Sequence, residues 1–389
     1  MIYAGIDVAK DKHDCCILDS DGKKLFPVFT ISNNKSGFDE LFEKINSTEI
    51  SLSEIKVGLE ATGHYSWNLL RSLMEKGYTT YVINPLHTNL YRKGQSLRKT
   101  KTDKVDASTI ATMLMNDKTL KPYSITSYHN EELKSLTRYR FDKVQECSKL
   151  KSSLARLVNI LFPELERLVS SLHLASVYAL LSELPGAFHI AKCHLTHLTN
   201  LLETASRGSY GRDKAIAIRD AARNSIGSVS NSKSMELQHT IHLIKEMNKE
   251  IIDIEREINK LMPSGNTKIT TIPGIGHRMG AMILAEIGDF DRFVNPDQIL
   301  AFAGLSPSTY QSGQLTSSHS KMEKRGSKYL RYALINATKY VCRWDETFSA
   351  FLSKKLKEGK HYNVAISHAA KKLVRLIFAM AKSGEPYRG

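Results

Sequence analysis

The chain has 389 residues, 41% of them hydrophobic, with 55 Lys and Arg against 40 Asp and Glu and a formal net charge of +15. That length suits two or three domains with at least one proper core, and it excludes a peptide hormone or a disulfide-knotted miniprotein. The positive surplus draws such a molecule to polyanions and makes nucleic acid the leading class of partner.

No apolar run approaches the roughly 18 to 20 residues needed to cross a bilayer, and Met1 to Asp7 lacks a basic stretch followed by an apolar core. The expectation is a soluble, cytoplasmic chain without a membrane partner. Five cysteines are odd in number and sparse, and Cys15 and Cys16 are adjacent, so reduced thiols are expected rather than a disulfide framework.

In chain order, residues 2–7, 14–18 and 24–31 read as three strands joined by short turns around 10–13 and 19–23. A helix over 37–45, a strand over 55–60, a helix over 66–76, a strand over 79–84, a basic loop and a helix over 104–115 follow. This β-β-β-α-β-α-β-α order is that of the ribonuclease H-like fold, a mixed-sheet α/β domain expected over 1–117.

From about 130 to 262 the texture turns helical. Leu237, Ile241, Ile244, Met247, Ile251, Ile254, Ile258 and Leu261 recur at spacings of three and four. That is a coiled-coil-like seam, either a core helix of this chain or an intermolecular contact. Residues 205–234, with Gly, Ser and Asn, are a candidate hinge. The region 118–262 is therefore expected as a helical, coiled-coil middle, and 263–389 as a mostly helical C-terminal domain. In the latter, Ile272-Pro273-Gly274-Ile275-Gly276 between two apolar helices reads as the turn of a helix-hairpin-helix.

In a ribonuclease H-like sheet the first and fourth strands are neighbours, which places Asp7 and Glu60 together at their ends. Asp103 and Asp106, three apart, share one face of the first turn of the last helix. Four converging carboxylates repel one another without cations, and hard oxygen donors suit Mg²⁺ or Mn²⁺. Two ions per site would polarise a phosphodiester and stabilise both attacking and leaving oxygens. The plainer alternative is that Asp103 caps its helix, Asp106 faces solvent and the other two merely end strands.

Arg92, Lys93, Arg98, Lys99, Lys101 and Lys104 crowd the loop before that helix, which suits phosphate contacts, with a solvated charged loop as the alternative. Gly274 and Gly276 would let backbone N–H groups approach a phosphate. Downstream, a hydroxyl-rich stretch (Ser306, Ser308, Thr309, Ser312, Thr316, Ser317, Ser318, Ser320) runs into Lys321, Lys324, Arg325, Lys328 and Arg331. Any of those hydroxyls could position or attack a phosphate, and their chemistry alone does not choose among them. His189, Cys193, His194 and His197 sit at helical spacing, but no second Cys/His pair stands at a finger-like distance, and a zinc site is rejected.

Gly5-Ile6-Asp7-Val8-Ala9-Lys10, Gly58-Leu59-Glu60-Ala61-Thr62-Gly63-His64-Tyr65, Lys101-Thr102-Asp103-Lys104-Val105-Asp106-Ala107, Pro273-Gly274-Ile275-Gly276 and Tyr310-Gln311-Ser312-Gly313 with Lys324-Arg325-Gly326 occur in that order. Together they closely resemble the DEDD transposases of the insertion-sequence one-ten family, nearly end to end. The resemblance implies a RuvC-like N-terminal domain whose Asp7, Glu60, Asp103 and Asp106 bind divalent metal. It implies a C-terminal transposase domain with a serine nucleophile, which maps by position onto Ser312 and forms a phosphoserine link to DNA in a composite site across subunits. It further implies a homo-oligomer, dimer or tetramer, in a prokaryotic cell at the nucleoid, and a structured bridge RNA from the element's flank that pairs with donor and target DNA. Rival readings are a RuvC-like junction nuclease using water, a non-catalytic nucleic-acid scaffold, and, last, a sugar-kinase-like fold, which would need a second copy of the domain.

Overall fold

The computed structural model describes residues 1–61, 63–95, 102–123, 125–262, 268–307, 311–312, 315–316 and 322–388, with the backbone alone at 95, 125–130, 311–312 and 315–316. The chain divides into two compact units, Met1–Asn130 and Glu131–Gly389.

The first unit is built on a five-stranded mixed sheet. Its strands are β1 (Ile2–Val8), β2 (Lys12–Leu18), β3 (Phe29–Ser32), β4 (Ile55–Glu60) and β5 (Thr79–Ile83), in spatial order β3-β2-β1-β4-β5. β1, β2 and β3 pair antiparallel, while β1, β4 and β5 pair parallel, so the first and fourth strands are neighbours. The helices are α1 (Lys35–Asn46), α2 (Trp67–Glu75), α3 (Pro85–Gln95) and α4 (Asp103–Asn116).

Period-two alternation in β1 assigns its faces. Ile2, Ala4, Ile6 and Val8 enter a core with Leu41, Ile45, Leu69 and Leu73 of α1 and α2. On the opposite face Tyr3 packs with Cys16 and Leu18 of β2, Tyr81 and Ile83 of β5, and Ala107, Ile110, Ala111 and Leu114 of α4. Gly5 and Gly58, paired in register, let α4 settle onto β1 and β4. A Cβ on Gly5 would lie 2.3 Å from both Ala107 O and Ala111 N, and one on Gly58 would lie 2.8 Å from Leu114 Cδ1.

Two expectations for this unit need correction. The strand expected over 24–31 is confined to Phe29–Ser32, with Lys24 making only an isolated bridge to Leu18. Pro27, which has no N–H to donate, separates the two stretches. The basic loop expected from Arg92 onward is helical at its start, because Arg92 and Lys93 occupy the last turn of α3, which opens on Pro85. Arg98, Lys99 and Lys101 lie outside the described residues.

The second unit contains α5 from Glu131 onward (the whole helix is Ile125–Leu161), α6 (Leu165–Leu168), α7 (Ala175–Glu183), α8 (Ala187–Lys192), α9 (Leu195–Ser206), α10 (Arg212–Arg223) and α11 (Asn231–Leu261). It continues with α12 (His277–Ile287), α13 (Pro296–Phe302), the two-residue strands β6 (Gln311–Ser312) and β7 (Leu315–Thr316), α14 (Lys328–Trp344), α15 (Glu346–Lys357) and α16 (Tyr362–Ser383). One core gathers α5 to α11 and another gathers α12 to α16.

Apart from Leu261, which is exposed, the seam on α11 is spent inside the chain. Leu237, Ile241 and Ile244 are buried in the first of these cores, with Met247 and Ile251 packed against it, and Ile254 and Ile258 are buried beside Leu133, Ala281 and Ala285. Arg156 with Glu236, Lys143 with Glu250 and Arg140 with Glu255 run α5 and α11 antiparallel. The seam is therefore that of a core helix, and it does not supply the intermolecular contact. The hinge expected over 205–234 is likewise a packed segment, since it contains α10 with Ala215, Ile218 and Ala222 buried. All five cysteines are unbonded, and among the described residues no helix is long and apolar enough to cross a membrane.

Candidate active site and nucleic-acid interface

The first unit brings the other three expected acids into electrostatic reach of Asp7 and adds a further one, Asp14. Asp7 lies opposite Asp14 in the β1–β2 register, and Asp14 lies opposite Thr30 on β3, whose hydroxyl donates to Asp14 Oδ1 at 2.5 Å. Ile6 is level with Leu59, so the next residues, Asp7 and Glu60, end adjacent strands. The row Thr30, Asp14, Asp7, Glu60 thus crosses the sheet on the face that α4 covers. Thr102 caps α4 by accepting from Val105 N, and Asp103 and Asp106 fall in its first turn, where the helix dipole favours anions. Asp103 is exposed, whereas Asp106 is 7% exposed and Asp14 4%.

Crowding shows in the titration of Asp7. Burial first, then the charges of Glu60, Asp106, Asp103 and Asp14, push its carboxyl from 3.8 up to about 7. Arg92 answers part of this charge. Its Nη1 donates to Asp106 Oδ1 at 2.8 Å, and its Nη2 to Asn89 Oδ1 at 3.0 Å. Among the described residues, no three His, Cys, Asp or Glu side chains stand close enough, as placed, to hold one ion. The donor chemistry nevertheless fits a divalent cation, because an all-carboxylate set that keeps a proton at Asp7 up to about pH 7 is one that a hard cation would relieve.

In the second unit, Ser312 lies on β6 and pairs with Leu315 of β7. The base of this hairpin is closed by backbone contacts on both sides. Pro307 bridges to Met322, Glu323 N donates to Ser306 O at 3.1 Å, and Ser327 N donates to Phe302 O at 2.8 Å. Arg331 donates through Nη1 to Ala303 O at 3.0 Å and Lys324 O at 3.1 Å, so this guanidinium holds the two arms together. Lys324, Arg325 and Lys328 are exposed. Lys321 and most of the other candidate hydroxyls lie outside the described residues.

Beneath the hairpin base is a buried ion pair that the sequence did not disclose. Glu286 of α12 is 2% exposed and accepts from Arg138 of α5 at 2.5 and 3.0 Å and from the Ser327 hydroxyl at 2.6 Å. Ser327 in turn caps α14 by accepting from Leu330 N.

The Gly274 turn has a packing role. Gly274 has φ +91°, and a Cβ there would lie 2.6 Å from the Tyr340 carbonyl carbon. Gly276 precedes α12 with open space around it. The element before the turn is a single 3₁₀ turn, Lys268–Thr271, in place of the apolar helix expected there. Of the histidine cluster, His197 is paired with Glu183.

Two family profiles match this chain. One, described as a transposase, is that of the IS110 DEDD group and covers residues 4–163. The other is that of the transposase IS116/IS110/IS902 family and covers 266–353. The chain belongs to the IS110 family of transposases.

This transposase is similar over nearly its whole length to several curated proteins. The 44.8 kDa protein of insertion element IS116 from Streptomyces clavuligerus is 23% identical, over 98% of this chain and 94% of its own. The pilin gene-inverting protein of Moraxella bovis is 24% identical over 99% and 97%. The transposase of IS1111A from Coxiella burnetii is 24% identical over 99% and 90%. The transposase is thus an enzyme that acts on DNA.

Three of its residues, Asp14, Glu286 and the paired Arg92, gained their place only through folding. For Asp14 a signal existed: a short turn between β1 and β2 places it opposite Asp7, on the same face.

Proposed function

We propose that this transposase excises and inserts its own mobile element as a divalent-metal-dependent recombinase, guided by a structured RNA from the element's flank and acting as a homo-oligomer. In this reading the N-terminal unit is ribonuclease H-like, of the RuvC kind. The observation that carries it is the carboxylate row, with the Asp7 carboxyl pushed up to about 7 by burial first and then by its acidic neighbours. Asp7, Glu60, Asp103 and Asp106 would hold Mg²⁺ or Mn²⁺, which would supply Lewis-acid activation of a phosphodiester.

Ser312 is the nucleophile in this reading. Its Oγ forms a bond to the scissile phosphorus as one P–O bond to deoxyribose breaks; the hydroxyl gives up its proton and the leaving oxygen takes one up. Lys324, Arg325 and Lys328, exposed around the hairpin base, suit contacts to the DNA backbone, as do Arg98, Lys99, Lys101 and Lys321 by sequence.

The test is element excision in cells supplied with the flanking noncoding DNA, scoring the joined-end junction for wild type and Ser312→Ala. Junctions with wild type and none with the variant support the reading. Equal joining by the variant removes Ser312 from the mechanism and favours water attack by a RuvC-like nuclease. Unchanged activity in Asp7→Ala would favour the scaffold reading.

A further inference from the structure

We propose that the C-terminal end of α14 is a stacking platform for the bases of unpaired DNA. This rests on the recombination reading only in taking the occupant to be a strand freed during cleavage and exchange.

α14 carries four cations, Lys328, Arg331, Lys339 and Arg343, and no acid. Its apolar stripe, including Leu330, Leu334, Ala337 and Val341, is buried against the C-terminal core. At the edge of that stripe its last two turns present two aromatic rings to solvent. Tyr340 is 53% exposed and Trp344 65% exposed. At a spacing of four they form one row on the helix surface, and exposed Lys339 and Arg343 form a second row beside it. The Arg343 guanidinium carbon lies 5.7 Å from the centre of the Trp344 ring.

Large rings left in water need a reason, because their burial is worth more than that of most side chains. Rings interleaved with cations suit one occupant in particular. Every nucleobase offers a flat face to an aromatic ring, and the phosphates that connect the bases are satisfied by the adjacent positive row. Of the nearby acids, Asp345 is turned inward, capping Phe348 N and accepting from Tyr387, which leaves exposed Glu346 at the margin. The Gly274 turn, seated on the Tyr340 backbone, holds this end of the helix in place. A duplex stacks its own bases and offers no free faces, so the surface discriminates for single strands.

The experiment measures fluorescence anisotropy of a labelled oligothymidylate, of an oligouridylate and of a duplex with the full-length chain, and sizes each protein by sedimentation. The proteins are wild type, Tyr340→Ala with Trp344→Ala, and Lys339→Gln with Arg343→Gln. Both rings are exposed, so the thermal melt should be unchanged. Removing them should weaken single-strand binding about tenfold or more, leaving duplex affinity and the salt dependence of binding as they were. Removing the cations should flatten the salt dependence, by roughly 0.7 in slope for each phosphate that is no longer neutralised. Unchanged single-strand affinity in the ring variant overturns the proposal, as does an equal loss on duplex. A loss confined to oligouridylate overturns the assignment to DNA. Dissociation of a dimer with strand binding retained would make this a self-association face and also overturn it. A wild type that binds single strands here but joins no element ends leaves the platform standing and defeats the recombination reading alone.

Discussion

Gly5 and Ala107 meet backbone to backbone. A methyl built on Gly5 would sit 2.3 Å from the Ala107 carbonyl oxygen, too close for any carbon. The glycine two residues before Asp7 therefore sets how closely α4, with Asp103 and Asp106 in its first turn, approaches the strand that carries Asp7. Gly5→Ala should destabilise the protein by about 1–3 kcal/mol through overpacking. It should also lower DNA cleavage beyond what the stability loss explains, because α4 must lift off β1. Chemical denaturation together with a cleavage assay well below the melting temperature checks both, and unchanged cleavage would disconnect this packing from the acid site.

Asp7 makes stability depend on pH. In the unfolded chain its carboxyl titrates near 3.8 and in the folded protein at about 7, so between those values unfolding releases a proton. The contribution is fully present below about pH 4 and is lost as pH rises through 7. In metal-free buffer Asp7→Asn should therefore melt higher than wild type above pH 7, with little difference near pH 4. Added Mg²⁺ should raise the wild-type melting temperature above pH 7 more than that of the variant. Calorimetry across this range checks the point, and equal Mg²⁺ shifts in both proteins would remove Asp7 from the metal site.

Arg92 serves as the internal counter-charge to Asp106, a carboxylate with a side chain 10% exposed. Arg92→Gln leaves that carboxylate without its cation and should cost about 3 kcal/mol in the absence of metal. Mg²⁺ should recover a larger share of stability in this variant than in wild type, since both cations answer the same charge. Parallel urea titrations with and without Mg²⁺ measure it, and a variant as stable as wild type without metal would contradict the pairing.

Glu286 should be the most sensitive carboxylate in the second unit. Its side chain is fully buried, and its charge is balanced by Arg138. Arg138→Ala should destabilise by about 3 kcal/mol because the buried charge loses its partner, whereas Arg138→Met combined with Glu286→Leu should recover most of the loss. Because Glu286 also holds Ser327 at the base of the Ser312 hairpin, the double variant should regain stability while remaining impaired in strand joining. Full recovery of joining would limit the pair to a structural role.

Local pattern determined a good part of this protein by itself. Short β-rich runs at 2–7 and 14–18 mark two strands and apolar residues three and four apart in 107–114 mark a helix face, and each depends only on near neighbours in the chain. Asp7 and Glu60 at strand ends and Asp103 and Asp106 in the first turn of α4 were legible for the same reason. The family motifs were legible too, because each is a short contiguous string.

The tertiary structure decided what joins distant segments. The α11 seam could serve a core or a partner equally well, and only the antiparallel pairing of α5 with α11 consumed it within the chain. Asp14 joined the acid row through the register of a hairpin. Arg92, read as a phosphate contact in a loop, was carried by α3 to within 2.8 Å of Asp106. Arg138 and Glu286 stand 148 residues apart, and nothing in either segment marks the other. A hydrophobic period records that a face is buried but not against what, and an ion pair depends on where two helices come to rest, which the whole core settles together.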